Sequence, residues 1–94
     1  MNRTYIYALC EERHDFPVKK GIFPKAVPNV QDINWLYKTA DQNIPKDCGR
    51  LAVYVTGCQS ALLAVVAVCA RRHIQLTAIH RSKINGETIA QKVF

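Results

Sequence analysis

The sequence has no C-x-x-C pair, no zinc-finger spacing, no G-x-G-x-x-G and no G-x-x-x-x-G-K-[ST], and each absence removes a class of protein. Without paired ligand spacing, Cys10, Cys48, Cys58 and Cys69 do not form a zinc module. Without the glycine-rich fingerprints, the chain is neither a P-loop nucleotidase nor a standard dinucleotide-binding domain. The apolar run Ala61 to Ala70 is far short of the roughly 20 residues that cross a bilayer. Met1-Asn2-Arg3-Thr4 leads into a strand pattern and not into an apolar signal segment. The expectation is therefore a soluble, cytoplasmic protein with reduced thiols and no membrane partner. Acidic residues are also scarce, with 7 Asp and Glu against 13 Lys and Arg, and the resulting charge of +6 favours anionic partners, direct nucleic-acid binding among them.

What is present is one domain, residues 1–94, with 49% hydrophobic and 21% charged residues. It is organised around Leu51 to Ala70. Val53, Tyr54, Val55 and Thr56 favour a pleated surface, and apolar residues on both parities predict a strand covered on both faces. Gly57 ends that strand, and the alanine- and leucine-rich run that follows predicts a helix from Cys58 to about His73. That helix is apolar nearly all round, which predicts cover on a second side by another copy of the chain. Arg71 and Arg72 suit its negative end as helix-end charges.

The flanking segments complete an α/β pattern. Arg3 to Cys10 reads as the first strand, followed by the ionisable run Glu11 to Asp15. Phe16 to Pro28 contains three prolines and three lysines, and reads as a basic loop with a short edge strand around Gly21 to Phe23. Asn29 is placed to cap a helix from Val30 through Ala40, with Trp35 as a packing anchor. Lys46 to Arg50 reads as a lead-in to the central strand. Ile74 to His80 reads as a third parallel strand, and Asn85-Gly86 predicts a hairpin into a final strand from Thr88 to Phe94. The predicted fold is a small, Rossmann-like, mostly parallel sheet with two helices and a C-terminal β-hairpin.

In such sheets ligands sit beyond the carboxyl ends of the strands. That rule gathers Cys10 to Asp15, the turn Thr56-Gly57-Cys58-Gln59-Ser60, and the segment His80, Arg81, Ser82 and Lys83. Free backbone N–H groups at a helix start, cations and two histidines together suit a phosphate-bearing ligand. Ser60, His80 and Glu11 are the residue types of a hydrolase triad, but the G-x-S-x-G elbow is absent. Cys10, His14, Cys58 and His80 are types that ligate zinc, but no spacing forces them together. No metal and no cofactor are expected.

Tyr54-Val55-Thr56-Gly57, the small-residue helix after it, and the strand ending Ile79-His80-Arg81 resemble small Rossmann-like proteins of phages and CRISPR loci, similar to the CARF-related ring nucleases. The resemblance covers Leu51 to Phe94. It implies a homodimer that carries a cyclic oligonucleotide on the two helix starts at Gly57 to Ser60. In that reading Thr56, Gly57, Cys58, Gln59 and Ser60 hold phosphate, Arg81 and Lys83 add charge, and His80 or His14 is the general acid of a metal-independent cleavage. The other reading is a non-enzymatic interaction protein, such as a phage-borne inhibitor, that docks through Lys19, Lys20 and Lys25.

Overall fold

The computed structural model describes residues 3–10, 20–24, 31–55, 59–81 and 87–94. The element order is β1 (Arg3–Cys10), β2 (Gly21–Phe23), α1 (Ile33–Asn43), β3 (Cys48–Tyr54), α2 (Gln59–Arg72), β4 (Gln75–Arg81) and β5 (Thr88–Lys92). The strands form one sheet in the order β2-β1-β3-β4-β5. The first four run parallel, and β5 returns antiparallel to β4. This is the α/β, mostly parallel, two-helix architecture that the sequence predicts, including its C-terminal antiparallel pair.

Local chemistry sets the element ends. Asp32 caps α1, its carboxylate accepting from the Trp35 N–H at 3.0 Å. The expected cap, Asn29, and Val30 lie outside the described residues, and α1 starts later than the periodicity predicts. Its end is tied down twice: Ile44 N–H donates to Ala40 O at 2.9 Å, and Asn43 Nδ2 donates to Ile22 O at 2.7 Å. Trp35 is the anchor expected, lying 6.4 Å centroid to centroid from Phe23. α2 ends in a Schellman turn, with His73 N–H donating to Ala70 O and Ile74 N–H to Cys69 O. His73 holds the left-handed position there at φ 56°, where glycine is the usual occupant.

One core joins the sheet to both helices. Leu9, Leu51, Val53 and Leu76 point from alternate strand positions toward Leu36 and Ala40 of α1 and Ala61, Val65 and Val68 of α2, all fully buried. The two helices also pack on each other. The all-round apolar character of α2 is therefore met largely within the chain: Ala64 and Val68 belong to this core, and Leu63 is the large residue left exposed, at 66%.

The central strand departs from expectation in two ways. It begins at Cys48, so Gly49 and Arg50 are strand residues and not a lead-in. Its burial alternates, with Leu51 and Val53 buried and Ala52 and Tyr54 half-buried, so it is not covered equally on both faces. The helix-covered face is dry. On the opposite face at the amino ends of the strands, Thr4, Arg50 and Gln75 are exposed, as is Ile6 at 52%.

Candidate functional site

The carboxyl ends of β1, β3 and β4 meet along one rim of the sheet. Ala8, Tyr54 and Ile79 lie side by side on adjacent strands. Cys10 at the end of β1 and His80 near the end of β4 lie just beyond that row, Cys10 buried and His80 half-buried. The sheet is continued by one further bond, Val55 N–H to Ile79 O at 2.9 Å. Strand alternation puts His80 on the same face as Leu76 and Ala78, the face that carries the helices.

α2 starts after this rim with Gln59 exposed and Ser60 half-buried, and no acidic residue lies in its first turn. A helix start carries backbone N–H groups without intrahelical partners and a positive dipole end, which favour an anion. Arg81 is the last residue of β4, its backbone paired with Thr88. Of the residues singled out from sequence, the structure therefore places Gln59, Ser60, His80 and the Arg81 backbone. Thr56, Gly57, Cys58, His14 and Lys83 lie outside the described residues, as do the turn Asn85-Gly86 and the lysines Lys19 and Lys25 of the basic loop.

Several charged groups serve the fold. Arg72 bridges the helices: Nη1 and Nη2 donate to Ile44 O at 3.2 Å and Pro45 O at 2.6 Å, and the guanidinium lies 3.5 Å from Asp41 Oδ1. Asp41 Oδ1 is buried without a hydrogen bond, so the nearby Arg72 charge is its compensation. Arg71 pairs with Asp41 at 3.2 Å and stacks over the Tyr37 ring at 5.5 Å. The helix-end role of these arginines is therefore only part of what they do, because they also hold the end of α1, a contact with no local signature in the chain. Lys20, one of the basic-loop residues, lies over the Tyr7 ring at 5.5 Å. Tyr5 donates to Asp47 at 2.7 Å, and that carboxylate raises the phenol pKa.

Cys10, Cys48 and Cys69 are buried thiols outside any disulfide. Burial raises the Cys48 thiol and pushes Cys69 up to about 12, so neither supplies a thiolate nucleophile near neutral pH. Among the described residues no three His, Cys, Asp or Glu side chains cluster as metal ligands, and no helix is long and apolar enough to cross a membrane.

No family model, curated protein or solved structure matches this chain. None of these comparisons links its C-terminal half to the CARF-related ring nucleases. The arrangement of the rim therefore carries the functional reading.

Proposed function

We propose that this chain binds a phosphate-bearing nucleotide, a cyclic oligonucleotide in its preferred form, at the carboxyl ends of β1, β3 and β4. The observation that carries the reading is strand order. From β1 the chain goes to β2 on one side and then to β3 on the other, and ligands of open α/β sheets bind where the order reverses in this way. The start of α2 follows β3 at that position, with Gln59 and Ser60 to meet phosphate. Thr56, Gly57, Cys58, Arg81 and Lys83 complete the site in this reading. Two copies joined through the exposed side of α2 at Leu63 bring two such sites into one particle. The reduced thiols of Cys10, Cys48 and Cys69 support a cytoplasmic setting.

Thermal unfolding against a panel of cyclic and linear oligonucleotides tests the binding. A ligand at 100 times its Kd stabilises the native state by about 2.7 kcal/mol, and a panel in which no nucleotide moves the melting temperature overturns the reading. The catalytic part rests on His80 or His14 as general acid. His80→Ala is expected to keep the thermal shift and lower cleavage by ~10²-fold. A bound cyclic oligonucleotide that stays intact with the wild-type chain overturns cleavage and leaves binding standing.

A further inference from the structure

The amino-end half of the helix-free face carries chemistry that the rim does not use. Register places Thr4, Arg50 and Gln75 in one row across β1, β3 and β4. The next row holds Ile6, Ala52, Thr77 and Lys92 across β1, β3, β4 and β5. Strands lie about 4.8 Å apart, so the two rows form a strip about 14 Å wide, polar except at Ile6 and Ala52.

Two adjoining hollows lie over it. One, of about 400 Å³, is lined by Thr4, Arg50, Gln75, Thr77, Lys92 and Phe94 among others. The other, of about 480 Å³, shares Thr4, Arg50 and Gln75 and adds Gly49 and His73. No Asp or Glu side chain among the described residues lines either hollow. Asp47, the acidic residue nearest in sequence to Arg50, is engaged by Arg3 and Tyr5. Arg50 and Lys92 make no side-chain hydrogen bond or ion pair among the described residues, so their charge is available. His73, which lines the second hollow, occupies a backbone position that favours glycine. Phe94 is held at the edge of the strip, its N–H bonded to Leu76 O at 3.3 Å and the residue 43% exposed.

Parallel sheets are normally covered on both faces by apolar packing. Beside Ile6 and Ala52 this strip holds Thr4, Gln75, Thr77 and the cations Arg50 and Lys92, so an apolar cover would bury two charges. Unpaired cations, neutral donors and a flanking aromatic ring on an open sheet face suit a nucleic-acid single strand, whose phosphates take the cations and whose bases stack on the ring. We propose that a single-stranded nucleic acid lies across this face, with phosphates on Arg50 and Lys92 and a base on Phe94. The site is separate from the carboxyl-end rim and does not depend on what the rim binds.

Fluorescence anisotropy with a labelled oligouridylate at low salt is the test. The wild-type chain is expected to bind it, and the double variant Arg50→Glu/Lys92→Glu to bind at least about tenfold more weakly. Phe94→Ala should weaken binding about fivefold or more, while every variant keeps the wild-type melting temperature. Photo-crosslinking of the unmodified chain gives a measurement that no folding defect can obscure, with crosslinks expected at Phe94 or in β5. Absence of wild-type binding overturns the proposal. So does equal binding by the double variant, duplex RNA binding as tightly as the single strand, inorganic phosphate competing as well as the oligonucleotide, or crosslinks confined to the carboxyl-end rim. Thermal shifts by cyclic nucleotides that persist in Arg50→Glu/Lys92→Glu would keep the two sites distinct.

Discussion

The two faces of the sheet are built from the same strands and differ in almost everything else. Along β3 and β4 the residues Leu51, Val53 and Leu76 are sealed under the helices, while their immediate neighbours Arg50 and Gln75 stand in solvent and Ala52 and Thr77 are half-buried. A strand presents successive side chains to opposite faces, so one backbone can serve a dry packing surface and a wet one without compromise. The dry face gains from every buried methylene, roughly 0.8 kcal/mol each. The wet face contributes little to stability, and its residues are free to change for another purpose. At the carboxyl end of β1 the difference disappears, because Tyr7, Ala8, Leu9 and Cys10 are all buried whichever way they point. On β1 the open strip is therefore limited to the amino end of the strand, and the rim proposed to bind a nucleotide lies at the other end.

The largest effect that breaks this contrast is a charge on the covered side. Val68 is fully buried in α2, whereas Leu63 on the same helix is 66% exposed. Val68→Glu places an unpaired carboxylate in the core and is expected to cost several kcal/mol, enough to remove a cooperative melt. Leu63→Glu should leave the melting temperature within a few degrees of the parent. Light scattering on Leu63→Glu then tests the proposed homodimer: a dimeric parent and a monomeric variant place the interface on that side of α2, and a monomeric parent overturns it. A Val68→Glu chain that melts like the parent contradicts the core described above.

Much of this architecture is legible in the chain itself. The strands of the C-terminal half and the apolar helix between them follow from periodicity and turn residues, because Leu51 to Val55 and Ala61 to Ala70 are long unmixed patterns. The two faces are harder to separate. Gly49 and Arg50 look like a loop because glycine and an exposed cation interrupt the apolar run, and only the pairing of Arg50 with Thr4 and Gln75, across a register shift at Gly49, makes them strand. Periodicity reports that α2 is apolar and not what touches it, so a second copy and a neighbouring helix look alike as its cover. α1 supplies that cover, and the Arg72 link between them depends on residues 27 and 28 positions away, which no local pattern encodes. At the rim, the strand-end rule gathers residues from three distant segments, and Gln59, Ser60 and His80 are the parts the structure describes.

Arg72 offers the next test, because it holds the two helices together over the covered face. Arg72→Ala leaves Ile44 O without its side-chain donor, leaves Pro45 O with the Cys48 N–H alone, and leaves Asp41 without its partly buried countercharge. Each unsatisfied group costs on the order of 1 kcal/mol, so a loss of about 2–3 kcal/mol is expected by urea unfolding. Arg71→Ala, which removes a 59% exposed cation, should cost under about 1 kcal/mol. Equal losses from the two changes would mean that the backbone bonds of Arg72 are not what fastens α1 to α2.

The smallest effect reads how dry the covered side is. Cys69 is fully buried, and desolvation, followed by its neighbour Cys48, pushes its thiol from an ordinary 9.0 up to about 12, with the Arg72 charge opposing. In the unfolded chain the thiol ionises near 9 while in the folded chain it stays protonated, so stability from this group is complete below pH 9 and is lost as pH rises toward 12. One such group gives a slope of at most about 1.4 kcal/mol per pH unit. Cys48 is shifted in the same direction by burial and adds to the limb, so the informative quantity is a difference. Urea unfolding of the parent and of Cys69→Ala across the alkaline range should give curves that differ by a constant cavity cost below pH 9 and converge above it, because only the parent loses the thiol contribution. Parallel curves throughout would mean that water reaches Cys69 in the folded chain. In that case the covered face is not as dry as its burial indicates, and the contrast between the two faces rests on polarity alone.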